Sequence, residues 1–347
     1  MFKIDKLWYI PIALLVFGLL IFIHEFGHFF TARRFGVPIK EFSLGMGPKL
    51  VSKKSKKYET VYSLRLFPIG GYVSMVGEDE DSDDKNAFCN KPVWQRLIIT
   101  AAGATMNILF AIIVMTILVV SQDRFGSTTV HSFSEGAISN SCGLEAGDRI
   151  VKVNDTKIHI SNELVYEIMM QGTKSVRLEV IRDGERVVLE NVSFPQEEAE
   201  GITIGTVDFI VYAEAKTPLG VLRESVYRSW STVKMIWESL AGLLTGRFGI
   251  EAVSGPVGVT GAIGEAASSG FFNLAYLTVV ISMNLGIFNL IPFPALDGGR
   301  ILFMLFELVR GKPIDPKYEG YVHVAGLVIL FGFMIFITFK DIIKLLG

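Results

Sequence analysis

The sequence predicts a multi-pass α-helical membrane protein of four transmembrane helices, with a membrane-associated β-hairpin and an extracytoplasmic β-rich domain. Three observations carry this. Half of the 347 residues are hydrophobic and only 20% are charged, and the mean hydropathy of +0.44 departs from a soluble domain in the apolar direction. Four stretches, residues 7–31, 97–120, 271–290 and 321–339, approach the roughly 20 apolar residues that a bilayer core of about 30 Å requires. Between the second and third, short runs separated by Gly and Asp have the grammar of strands and turns.

Residues 1–31 make the first span. Lys3 and Lys6 precede an apolar run too long for a secretory signal, with no small-residue cleavage site after it, so the run reads as retained. It contains "IFIHEFGHFF", residues 21–30. An ionisable group at bilayer depth costs a few kcal/mol or more and marks function when a partner can be named. His24 and His28, four residues apart, lie one turn above the other on a helix and reach one ion, with Glu25 beside them as general base. A catalytic zinc takes three protein ligands and keeps a fourth position for water. The two cysteines, Cys89 and Cys142, allow no disulfide framework or thiolate site, so the remaining ligand is nitrogen or oxygen.

Residues 32–96 hold twelve Lys and Arg, which places this loop in the cytoplasm. Arg300, Arg310, Lys312 and Lys317 agree, leaving both termini and residues 121–270 outside. Within the loop, "YETVYSLRLFPIGGYVSM" alternates as strands do, with Pro68 and Gly70-Gly71 as turn residues before Tyr72. This predicts a hairpin close to the membrane, with an edge able to accept an extended peptide, so that Leu64, Leu66, Gly70, Gly71 and Tyr72 are candidate contacts for one. The acidic "GEDEDSDDKN" after it is a solvated linker.

Residues 97–120 make the second span. Beyond it, "GLEAGDRIVKVNDTKI" and "SVRLEVIRDGERVVLENVSF" resemble a PDZ domain of the bacterial, protease-associated kind, so residues 121–195 form a PDZ-like domain whose carboxylate-binding loop is not recognisable. In the extracytoplasmic segment 196–270, Leu219, Leu222, Val226, Trp230, Val233, Trp237, Leu240 and Leu244 recur at three and four residues, an amphipathic helix opened by Thr217-Pro218. Lipid and the β-rich domain are both suitable partners for it.

Residues 271–300 make the third span and end in "NLIPFPALDGGR". Pro292 and Pro294 break the helix, and backbone freed at membrane depth is tolerated only beside protein or a water-filled cavity. Asp297 there either caps the following helix or supplies the missing ligand. Asn289 either makes an interhelical hydrogen bond or donates to a substrate carbonyl. Of the remaining histidines, His131 and His159 belong to the outer domain, and His323 is a lesser candidate ligand. A cytoplasmic helix and loop, residues 301–320, and the fourth span, 321–347, complete the chain.

The HExGH, "FPIGGYV", "SGPVGV" (254–259) and NLxPxPxLDGG (289–299) segments together resemble the site-2 protease family of intramembrane zinc metalloproteases, most closely the bacterial regulator of sigma-E protease type, over nearly the whole chain. The resemblance implies that His24, His28 and Asp297 hold one Zn2+, that Glu25 is the catalytic base and that Asn289 contacts the substrate backbone. It further implies a bacterial plasma-membrane endopeptidase, its active site near the cytoplasmic side. The substrates implied are transmembrane segments of single-span proteins, such as anti-sigma factors or remnant signal peptides. The net charge of −2 points to no nucleic-acid partner. The alternatives are a tethered protease with a cytosolic site, and a metal transporter or PDZ-bearing scaffold without peptidase activity.

Overall fold

A computed structural model describes residues 8–78, 80–199, 202–247 and 249–346; Lys3, Lys6 and Leu7, invoked above for the first span, lie outside them. The chain divides into two compact units, residues 1–114 with 253–347, and residues 115–252.

The first unit contains α1 (Tyr9–Arg34), β1 (Ile39–Lys54), β2 (Val61–Met75), most of α2 (Val93–Ser121), α6 (Pro256–Ser268), α7 (Phe271–Leu290), α8 (Asp297–Arg310) and α9 (Pro316–Leu346). Four helices among the described residues are long and apolar enough to cross a membrane: Tyr9–Arg34, Val93–Ser121, Phe271–Leu290 and Lys317–Lys344. They coincide with the four apolar stretches, and each is mostly unburied by protein, as a lipid-facing helix is. Arg33 and Arg34 close the last turn of α1, where positive charge complements the helix dipole. Small residues set the helix contacts. A Cβ on Gly286 of α7 would stand 2.7 Å from Ile108 and 2.9 Å from the main-chain oxygen of Ala104 on α2, and the Ser282 hydroxyl donates to the Asn107 oxygen at 2.9 Å. The "SGPVGV" segment opens α6, and its Gly255 and Gly258 amides each donate, at 2.9 Å, to Oδ2 of Asp341 on α9. A carboxylate from another helix thus satisfies amides that the first turn of α6 leaves unbonded.

The predicted hairpin needs correction. Pro68 and Gly70-Gly71 are not its turn: they lie inside β2, and the partner strand is β1, which precedes the alternating segment. Both strands fold back on themselves. Residues 41–44 of β1 carry two sets of partners, 61–64 and 71–74, while residues 49–54 pair with 61–65. The bend leaves Met46, Leu50, Val51, Leu64, Leu66 and Phe67 exposed. Arg65 bridges the layers by donating to Glu41 (3.0 Å) and to the Tyr72 hydroxyl (2.6 Å), and the Ser63 hydroxyl donates to Glu41.

The second unit contains β3 (Arg124–Phe133), α3 (Ile138–Ser141), β4 (Arg149–Val153), β5 (Thr156–Lys157), α4 (Ser161–Gln171), β6 (Val176–Arg182), β7 (Glu185–Val192), β8 (Gln196–Ala199), β9 (Ile202–Gly205), β10 (Phe209–Ala215) and α5 (Pro218–Leu244). Its main sheet runs β10-β3-β4-β6-β7, with β5 beside β4, over a core that includes Val130, Ile150, Leu164, Ile168 and Leu178. Thr217 caps α5 by accepting from the Gly220 amide at 3.0 Å. Polar groups face inward on α5: Arg228 pairs with the buried Glu224 at 2.9 Å, and Lys234 pairs with Glu167 of α4. The apolar stripe of Leu219, Leu222, Val226, Trp230 and Trp237 faces outward.

Candidate metal centre

Two helices and one broken segment build the site. On α1, the four-residue spacing stacks His24 and His28, with Nε2 atoms 3.1 Å apart. Asp297 Oδ2 stands 3.2 Å from Nε2 of His24 and 3.4 Å from Nε2 of His28. It arrives there because α7 stops at Leu290 and α8 begins at Asp297 itself, with Leu296 as its N-cap and no side-chain cap, so Asp297 does not serve as the cap. Gly298 lets the helix start close to the break: a Cβ there would stand 2.6 Å from main-chain carbons of Leu290 and Ile291.

These three side chains form a group able to hold a metal ion, and three further observations test the fit. Around a tetrahedral ion with bonds of about 2.0 to 2.1 Å, ligand atoms stand about 3.3 Å apart, which the observed 3.1 to 3.4 Å matches. Asp297 Oδ2 is buried without a hydrogen-bond partner, a state a carboxylate oxygen tolerates poorly unless a cation fills it. Gly103 of α2 provides the space, since a Cβ there would sit 2.7 Å from His24 Nε2 and closer still to His28 Nε2. The residues fit zinc.

The imidazoles are also oriented for it. His28 Nδ1 lies 2.9 Å from the main-chain oxygen of Ile99. A carbonyl only accepts, so neutral His28 carries its proton on Nδ1 and turns the Nε2 lone pair to the site. His24 Nδ1 faces the side-chain amide of Asn107 at 3.4 Å, and Oδ1 of that amide has no partner; a half-turn presents it to Nδ1–H. Sequence reasoning missed both Gly103 and Asn107, although an amide in an apolar span was a signal.

Glu25 is partly buried beside β2: a Cβ on Gly71 would stand 3.2 Å from its Cγ. Gly70, Gly71 and Tyr72 therefore lie in the strand that borders the site. The 71–74 stretch pairs with β1 on one side only among the described residues, which makes it the edge nearest Glu25. Leu64 pairs with both Leu44 and Val51, away from that edge, and Leu66 stands between Arg65, paired with Lys49, and Phe67, paired with Met46; both leucine side chains are exposed. Asn289 donates its amide to Leu285 O at 2.9 Å, a bond within α7 rather than between helices. His323 does not join the metal group; its Nδ1 accepts from the Ala295 amide at 3.0 Å. Cys89 and Cys142 are free. A cavity of about 570 Å³ borders α8 farther along, lined by Glu78, Arg300, Phe303, Glu307 and His323.

The protein class follows from this pairing of an HExxH span with a broken-helix aspartate, and the match of Peptidase family M50 to residues 12–333 agrees with it. The chain belongs to that family, the site-2 proteases, and is a zinc metalloendopeptidase of the membrane. The transporter and scaffold alternatives fall with that assignment. Among its relatives, the regulator of sigma-W protease RasP of Bacillus subtilis is 30% identical, with 96% of this chain and 97% of that one aligned. The zinc metalloprotease RasP of Geobacillus kaustophilus is 29% identical over 95% of this chain and 97% of its own. A Clostridium acetobutylicum protein provisionally named a zinc metalloprotease is 35% identical over 96% and 97%.

Proposed function

We propose that His24, His28 and Asp297 hold a single zinc ion, and that Glu25 is the base with which this chain cuts transmembrane segments of single-span proteins within the bacterial plasma membrane. The observation that carries the reading is the convergence of two imidazoles and an otherwise unpartnered carboxylate oxygen from separate elements onto one point. Zinc bound by these residues would supply Lewis acidity, lowering the pKa of a water to about 7 and polarising the scissile carbonyl. Glu25 accepts the water proton and hands it to the leaving amine. Asn289 contributes a donor to the substrate only after leaving its bond to Leu285 O.

A substrate helix in lipid hides its carbonyls in its own hydrogen bonds, so it must unwind locally to be cut. The 71–74 edge beside Glu25 replaces those bonds by strand addition. The exposed apolar side chains on the bent sheet suit a segment dipping into lipid. The Lys and Arg distribution puts the loop from 32 to 96 and the site on the cytoplasmic side, with both termini and a PDZ-like domain within 121–195 outside. By analogy with the sigma-W regulator, the substrate class is a membrane-bound anti-sigma factor, or a remnant signal peptide, trimmed outside before it enters.

The test is co-expression with candidate single-span substrates, with and without Glu25→Gln, and mapping of the cut. Cleavage within the membrane segment that disappears in Glu25→Gln while zinc stays bound supports the reading. A cut outside the bilayer, or one that survives Glu25→Gln, overturns it.

A further inference from the structure

We infer that His323, on the last span, is a positioning residue for the carboxylate of Asp297, acting through the Pro294-Ala295-Leu296 turn. This rests on the reading of Asp297 as a zinc ligand. Ala295 has φ of +79°, a left-handed conformation that an L-residue rarely adopts and that persists only where the surroundings enforce it. It lies two residues before Asp297, so its backbone angles set where the carboxylate goes.

Two features of α9 enforce it. Nδ1 of His323 accepts the Ala295 N–H at 3.0 Å. That bond requires an unprotonated Nδ1, so neutral His323 holds its proton on Nε2, which points toward Glu319, 3.7 Å away, one turn earlier on the same helix. The ring also lies against Phe303 of α8, with centroids 5.7 Å apart. One turn farther along α9, Gly326 brings the helix backbone onto Pro294: a Cβ there would stand 2.6 Å from the Pro294 oxygen and 2.7 Å from its carbonyl carbon. The turn is thus packed from one side and held by a hydrogen bond at its strained residue. The bond joins a side chain to the backbone of a segment that presents a metal ligand, the role that outer partners of metal sites usually fill.

The experiment compares wild type, His323→Leu, His323→Asn, Gly326→Ala and Asp297→Ala, purified in detergent, stripped and titrated with Zn2+ and with Co2+, whose visible absorption reports ligand geometry. His323→Asn keeps an acceptor close to the position of Nδ1; His323→Leu removes it. His323→Leu is expected to weaken Zn2+ binding about 10- to 100-fold and to alter the Co2+ spectrum, with His323→Asn restoring both. Gly326→Ala, which displaces the turn while leaving His323 in place, is expected to alter the spectrum as well. A wild-type spectrum and affinity in His323→Leu, or equal damage in His323→Asn, overturns the inference. Asp297→Ala separates the two claims: if it keeps the wild-type spectrum, the ligand reading itself fails, whereas loss of the spectrum there with His323→Leu unchanged removes only the role of His323.

Discussion

Nδ1 of His28 lies 2.9 Å from the carbonyl oxygen of Ile99, so a main-chain group of α2 fixes the face that an imidazole of α1 presents. The same division of labour holds for His24 and Asn107. Replacing Asn107 with Leu removes the acceptor for His24 Nδ1–H and is expected to weaken zinc affinity about 10- to 100-fold, with Asn107→Asp closer to wild type. Competition with a chromophoric chelator measures it, and an unchanged affinity in Asn107→Leu would remove Asn107 from the site.

Gly103→Ala places a methyl group where both Nε2 atoms converge. Purified Gly103→Ala is therefore expected to lose zinc and cleavage together, while Gly18→Ala, in open space on α1, keeps both. Metal analysis of the two proteins decides it.

Asp341 neutralises two amides at the start of α6. Asp341→Ala leaves both without their acceptor and is expected to cost about 1 to 3 kcal/mol of stability, seen as a lower unfolding temperature in detergent with zinc content unchanged. An unaltered unfolding temperature would show that water replaces the carboxylate.

Burial opposes ionisation of Glu41, but hydrogen bonds from Ser63, Lys49, Arg65 and Tyr72 outweigh it and hold the carboxyl down to about 2 from 4.5. A depressed folded-state pKa contributes stability that is present above 4.5 and lost as pH falls toward 2. Amide protection factors in β1 and β2, taken relative to the intrinsic exchange rate at each pH, are expected to fall across that window, and to do so at higher pH in Ser63→Ala, which raises the carboxyl pKa. Identical profiles for the two proteins would argue against the network.

The four spans were legible because each apolar run exceeds 18 residues, His24 and His28 were candidates because their residue types are costly in lipid, and Asp297 was one because Pro292 and Pro294 break the helix beside it. Strand β1 was not legible. "IKEFSLGMGPKLVSKK" reads as a turn-rich loop, since Gly45, Gly47 and Pro48 interrupt its alternation, and only the pairing with β2 makes it a strand. Pro68 and Gly70 misled for the converse reason, because turn chemistry inside a bent strand looks like a hairpin end. Gly103 was illegible because its importance lies in an atom it lacks, and His323 because its partner is a main-chain amide 28 residues away.

Helix α9 touches the rest of its unit near both of its ends, at the Ala295 turn through His323 and at the start of α6 through Asp341. Eighteen residues of α-helix span about 27 Å, close to the hydrocarbon depth of a bilayer. The distance between these two attachments thus matches the depth that α9 has to cross. A membrane of different thickness favours a different tilt of a span, and a tilted α9 would pull on the Ala295 turn that precedes Asp297.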